Sequence, residues 1–173
     1  GSSSTPKYIF GLNISASWKG FDFSMLWSGS AGMKYYWQNG PGYHSNVVLN
    51  GYSLGELIAD DHYYYNEADP QDPANNINAT YPRLKYGKSD PQNDIPSTFW
   101  LYNASYIKLR NIQIGYTLPT RLVNKIQGSN ARIFISAENL LMITDYPGID
   151  PEIGGDLDYP TMKQVAAGIN LTF

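Results

Sequence analysis

Residues 164–173 alternate without a break. Val165, Ala167, Ile169, Leu171 and Phe173 occupy one set of positions, and Gln164, Ala166, Gly168, Asn170 and Thr172 the other. Successive side chains of a strand point to opposite faces, so this stretch is a ribbon with one oily face and one small, polar, uncharged face. Residues 7–18 repeat the pattern. Tyr8, Phe10, Leu12, Ile14, Ala16 and Trp18 share a face opposite Gly11, Asn13, Ser15 and Ser17, with Ile9 as the exception. Lys19-Gly20 is a two-residue hairpin turn with glycine where a positive φ is tolerated. The return strand sets Phe21, Phe23, Met25, Trp27, Ala31 and Met33 against Asp22, Ser24, Ser28, Ser30 and Gly32, with Leu26 out of pattern.

Two further stretches alternate. Ile112, Ile114, Tyr116 and Leu118 oppose Asn111, Gln113, Gly115 and Thr117, and Pro119 ends that strand because it has no N–H for the ladder. Extending this alternation backwards puts Lys108 and Arg110 on the outward face. Ala131, Ile133, Ile135 and Ala137 then oppose Ser136 and Glu138, while Phe134 sits among the polar set. The pattern predicts an all-β chain of antiparallel up-and-down strands at about 7–18, 21–36, 105–118, 131–144 and 162–173. The connections alternate short, long, short, long, with loops at 37–104 and 145–161. One short helix is expected within 51–60 and one helical turn within 120–130.

The wet face of a soluble sheet normally carries Lys, Glu or Asp. Here the mid-strand positions are Asn, Ser, Gly, Gln or Thr. A transmembrane barrel has lipid outside, a polar lumen inside and long loops at one end only, and that is the pattern seen. The absence of any run of about 18 apolar residues excludes a transmembrane helix but not a barrel, whose strands are short and half polar. In this reading the Lys19-Gly20 turn is periplasmic and the long loops are extracellular.

Composition narrows the function. Twelve basic residues against fifteen acidic ones leave a net charge of −3, so nucleic acid is not an expected partner. There is no cysteine, hence no disulfide framework or thiolate chemistry. Residues 1–5 resemble neither a signal peptide nor a targeting leader. Eight of the fifteen tyrosines lie within the long loop. Trp37, Tyr43, Tyr63, Tyr64, Tyr65, Trp100 and, in the second loop, Tyr146 are candidates for ligand or partner contact, because flat rings with polar edges mark contact surfaces. Asp145, Asp150, Glu152, Asp156 and Asp158 crowd the second loop, but their spacing fits no calcium loop, so no metal is expected. Were one bound, Asp150, Glu152 and Asp156 would supply the oxygens. His44 and His62 are isolated, and the adjacent Asp60-Asp61 pair lacks the separation of a glycosidase dyad. Neither an enzyme nor a cofactor is expected.

Ala104-Ser105-Tyr106-Ile107-Lys108-Leu109-Arg110-Asn111-Ile112-Gln113-Ile114-Gly115-Tyr116-Thr117-Leu118-Pro119 resembles a segment of the SusC/RagA family of TonB-dependent outer-membrane transporters of the Bacteroidetes. So do Ile133–Leu141 followed by Tyr146-Pro147-Gly148-Ile149-Asp150-Pro151-Glu152, and the hairpin running from Pro6 to Asp22, in which Trp18 stands where Tyr is commoner. The resemblance implies a five-strand, C-terminal portion of a 22-stranded transmembrane β-barrel in the bacterial outer membrane, without the plug domain. It also implies a parent protein that imports oligosaccharides or peptides with a SusD-like surface lipoprotein and TonB. Such a portion alone is not competent for transport. Its bare edges and oily face should lead it to self-associate. The alternative is a soluble β-sandwich module, glycan-binding or adhesive, in which the oily faces of two sheets would meet.

Overall fold

The computed structural model describes residues 3–36, 56–84, 97–154 and 159–173, and in Leu57 and Ile126 the backbone alone. Its frame is one antiparallel sheet of five long strands: β1 (Tyr8–Trp18), β2 (Phe21–Ala31), β5 (Tyr106–Thr117), β6 (Asn130–Thr144) and β7 (Gln164–Thr172), hydrogen-bonded in that order. A small second ladder pairs β3 (Lys34–Tyr36) with β4 (Leu101–Asn103). A short helix α1 (Glu56–Asp60) lies within the long connection, and α2 (Thr120–Val123) sits between β5 and β6.

The local reasons are legible. Lys19 and Gly20 both have positive φ, 48° and 89°, the backbone of the tight hairpin turn that matches strand twist. The strand expected to run from 21 to 36 is interrupted at Gly32 (φ 77°), after which β3 leaves the main sheet to pair with β4. The region expected to be loop from 37 to 104 therefore contains α1 and β4 among its described residues. Within it, residues 61–81 are organised by amide and carboxylate side chains. Asn66 donates its backbone N–H to Asn75 Oδ1 (2.7 Å) and its side-chain amide to Asp72 Oδ2 (2.9 Å), and Asp72 Oδ1 accepts from the Ala74 N–H (2.9 Å). Such side chains stand in for backbone ladders, so periodicity gives no sign of them.

Register carries the apolar face straight across the sheet. Ala16, Phe23, Ile114, Ile135 and Ala167 form one row, and Trp18, Phe21, Tyr116, Ile133 and Ile169 the next. This face has no second protein layer over it: Ile114 is 55% exposed, Ile135 59% and Val165 68%. The buried apolar cluster (Met33, Ile58, Tyr81, Trp100, Ala104, Tyr146) is at the long-loop end instead. A sandwich interior, which the alternative reading required, is not what these residues build.

Lys108 and Arg110 are corrected by the register. Arg110 is the extra residue of a β-bulge: on one side Trp27 faces Leu109 and Leu26 faces Asn111, and on the other Leu141 faces Leu109 and Glu138 faces Asn111. A bulge shifts the two-residue period by one, so Ile107 and Leu109 join the apolar face, while Lys108 aligns with Ser28 on the polar face. The matching irregularity in β6 contains Asn139 (φ 51°), after which Leu141 and Ile143 return to the apolar face.

On the polar face the glycines make room for larger neighbours. Arg132 Nε lies 2.8 Å from Asp22 Oδ2, and this ion pair passes over Gly115 on the intervening strand. A Cβ on Gly115 would lie 2.5 Å from Asp22 Oδ2. Phe134, the apolar residue out of pattern, covers Gly168 directly opposite: a Cβ there would meet its Cζ at 2.6 Å, and the Arg132 guanidinium lies 5.2 Å from the ring centroid. Gly115→Ala is expected to displace the ion pair and to lower unfolding stability by about 1–3 kcal/mol, read from denaturant midpoints of the folded barrel.

Candidate functional site

The long-loop end is built from two parts that share β5. The first is an ion-paired anchor. Lys108 and Arg110 reach from the polar side of β5 to residues 150–152, just beyond β6. Lys108 Nζ lies 2.7 Å from Glu152 Oε2 and 3.5 Å from Asp150 Oδ2, with the Lys108 and Asp150 side chains both buried. Arg110 grips both Glu152 oxygens, Nη1 to Oε2 at 2.9 Å and Nη2 to Oε1, and donates Nε–H to Ser28 Oγ at 2.6 Å. A bidentate guanidinium–carboxylate contact fixes orientation as well as charge.

Asp150 completes the anchor from within the loop. It accepts from the Glu152 N–H (2.9 Å) and from the Thr161 hydroxyl (2.9 Å). Burial pushes the Asp150 carboxyl up, but the Glu152 N–H, the Thr161 hydroxyl and Lys108 together hold it below its ordinary 3.8. Burial likewise opposes ionisation of Glu152, and Arg110 and Lys108 outweigh it, leaving that carboxyl below 4.5. Two of the three carboxylates considered as metal ligands, Asp150 and Glu152, are thus held by cations of the chain itself. The third, Asp156, lies outside the described residues. Among the described residues no three His, Cys, Asp or Glu side chains converge as a metal site.

The second part is aromatic. Tyr81 stacks on Trp100 with centroids 6.2 Å apart and planes 6° apart, and Phe99 meets Trp100 edge-on at 4.3 Å. Tyr35 meets Tyr146 edge-on at 5.9 Å, with Tyr102 and Tyr106 packed against the same cluster. Burial and the neighbouring Tyr102 push the Tyr81 hydroxyl far above its ordinary value, so it stays neutral at physiological pH. Beside the cluster opens a groove of about 550 Å³, lined by Tyr63, Thr80, Tyr81, Arg83, Phe99 and Trp100 among others. It offers ring faces for stacking and one guanidinium for a carboxylate or hydroxyl.

Of the candidate contact residues, Tyr63 and Trp100 share the groove, and Trp100 and Tyr146 share the buried cluster. Tyr64 and Tyr65 are exposed and line neither, although Tyr64 bridges to Asn76. Trp37 and Tyr43 lie outside the described residues. Sequence reasoning passed over Arg83, Phe99, Tyr35 and Tyr102. The last two face each other across β3 and β4, a pairing that no local pattern in the sequence announces.

The arrangement ties the loop after β6 to β5. Both carboxylates of the anchor have folded-state pKa values below their unfolded ones, so their contribution is fully present above the unfolded values and is lost as pH falls through the folded ones. Protease cleavage within 145–154 should therefore stay slow from neutrality down to about pH 5 and accelerate below about pH 4. Glu152→Gln should raise cleavage already at neutral pH.

No protein-family profile matches the chain. It is 27% identical to TonB-dependent receptor P3 of Formosa agariphila over 98% of its own length and 16% of that protein's. It is 29% identical to TonB-dependent receptor SusC of Bacteroides thetaiotaomicron over 47% of its length and 9% of that protein's. The RagAB peptide transporter has a chain that superposes with a TM-score of 0.74 at 29% identity, covering 99% of this chain and 18% of that one. The RagAB peptide importer in its closed-closed state gives 0.73 with the same identity and coverage. The chain thus spans about a sixth of the length of the curated receptor that it matches end to end. Five antiparallel strands whose apolar rows run unbroken make the chain similar, at 27–29% identity over nearly all of its length, to a stretch of the barrel wall of SusC- and RagA-like TonB-dependent receptors.

Proposed function

We propose that the chain is one sector of an outer-membrane transporter that imports a nutrient oligomer. In this reading the apolar rows face lipid and the uncharged polar face lines the lumen. The short turns lie at the periplasmic end and the long connections outside the cell. In this reading the whole chain is barrel wall and its loops, and the parent receptor supplies the plug. TonB energises the parent, and a SusD-like lipoprotein covers the long-loop end. The cargo is an oligosaccharide or a peptide. Both suit a groove lined by Tyr63, Phe99 and Arg83, because rings stack on sugar or side-chain faces and a guanidinium takes a carboxylate or hydroxyl. By itself the sector does not transport.

The observation that carries the reading is the apolar face, continuous over five strands and uncovered. Each Leu, Ile, Val or Phe moved from water into an apolar medium contributes about 1.5–3 kcal/mol, and here lipid is the medium that can supply it. The test compares the two faces at one depth in the complete receptor. Ile114→Lys and Ile135→Lys should each destabilise the folded barrel in vesicles by about 2–4 kcal/mol. Gln113→Lys and Ser136→Lys, one residue away on the other face, should cost much less. Equal effects on both faces would sink the lipid assignment.

A further inference from the structure

The two ends of the sheet differ in charge as well as in loop length. The short-turn end comprises the β1–β2 turn, the segment from the end of β5 through α2 to the start of β6, and the end of β7. It carries four cations (Lys19, Arg121, Lys125, Arg132) against one carboxylate, Asp22. The rest of the chain carries eight cations against fourteen carboxylates. Arg132 and Asp22 neutralise each other on the polar face. Lys19, Arg121 and Lys125 remain, and none has a carboxylate partner among the described residues.

Lys19 sits at the edge of the apolar face, and Arg121 and Lys125 are exposed on the connection between β5 and β6 at the same end of the sheet. The Thr117 N–H donates to the Gly20 carbonyl at 2.8 Å, which ties the hairpin turn of Lys19 to the segment that leads into Arg121 and Lys125. The last apolar row before this edge is aromatic at three of its positions: Trp18, Phe21 and Tyr116, with the Phe21 and Tyr116 centroids 4.5 Å apart. Trp18 is 69% exposed on that face, and Lys19 Nζ lies 4.8 Å from its ring centroid. Aromatic rings of this kind settle at the level of lipid headgroups, and a lysine beside them keeps its stem on the rings and its ammonium among the headgroups.

We infer that this rim is a docking surface for anionic phospholipid headgroups in the leaflet at the short-turn end, with Lys19, Arg121 and Lys125 as the recognising charges. A carboxylate partner would have cancelled the field of these groups, and a site facing the lumen would not have set Lys19 over a lipid-facing tryptophan. Each such cation near an anionic surface favours association about fivefold, and the effect is screened by salt. The inference rests on the barrel reading above.

The test uses the complete receptor that contains this chain, folded into phosphatidylcholine vesicles with or without phosphatidylglycerol. The readout is the share of spin-labelled anionic over zwitterionic lipid in the motionally restricted shell around the protein. The expected result is an anionic preference at low salt that falls about fivefold for each of Lys19→Gln, Arg121→Gln and Lys125→Gln, and that high salt removes. The paired control Lys7→Gln with Lys163→Gln, at the opposite end of the sheet, should leave it in place. A wild-type receptor with no preference, or a preference lost equally in the control, overturns the inference. Quenching of Trp27 by brominated acyl chains distinguishes the two failures. If Trp27 is quenched and no preference exists, the barrel reading stands and the lipid site does not; if Trp27 is not quenched, both fall.

Discussion

A single antiparallel sheet must find something to cover each of its faces, and most of what is seen in this chain follows from how the two faces are covered differently. One face is apolar along every strand and across every pairing, from Leu12 and Ile14 on β1 to Ile169 and Leu171 on β7. Among the described residues no second layer of protein covers its side chains. The other carries mainly Asn, Ser, Gln and Thr, which tolerate water, with the Asp22–Arg132 ion pair near one end and Glu138 within β6. A sheet so divided is stable where hydrocarbon lies on one side and water on the other. Backbone pairing across closed neighbours then leaves no polar group exposed to the lipid.

Within that frame the departures from strict alternation are the informative residues. Phe134 is apolar on the polar face because Gly168 opposite has no side chain and leaves a hollow that the ring fills. Gly115 is small because the Asp22–Arg132 pair crosses above it. The bulge at Arg110 serves a different end. By adding one residue it moves two cations spaced two positions apart, Lys108 and Arg110, together from the apolar side of the sheet to the polar side, where both reach Glu152. The anchor at residues 150–152 depends on that one-residue shift. With regular alternation the same cations would point into lipid, where an unpaired charge is costly.

The long-loop end thus combines a rigid part and a shaped part. The ion-paired anchor ties the connection after β6 down onto β5, and the tyrosine-rich cluster packs β3, β4 and α1 beside it. The groove of Tyr63, Arg83 and Trp100 is supported by this packing. A binding surface on otherwise irregular chain needs such support, because loops hold a geometry only when their side chains are locked from beneath. The short-turn end has no comparable superstructure, and its exposed features are rings and cations.

Alternation and turn chemistry alone determined the five long strands, their antiparallel order, the hairpin at Lys19-Gly20 and the assignment of faces over most of each strand, because these depend on a two-residue period that the sequence displays directly. The same alternation, with few charged positions, pointed to lipid. Tertiary structure decided what a local period cannot encode. It moved Lys108 and Arg110 to the polar face through a bulge, ended β2 at Gly32 to form the β3–β4 ladder, and turned Asp150 and Glu152 from possible cation ligands into partners of those two residues. It also buried Trp100 and Tyr146 while leaving Tyr64 and Tyr65 at the surface. Neighbouring tyrosines look alike in sequence; which of them packs and which meets solvent depends on contacts between residues that lie far apart along the chain.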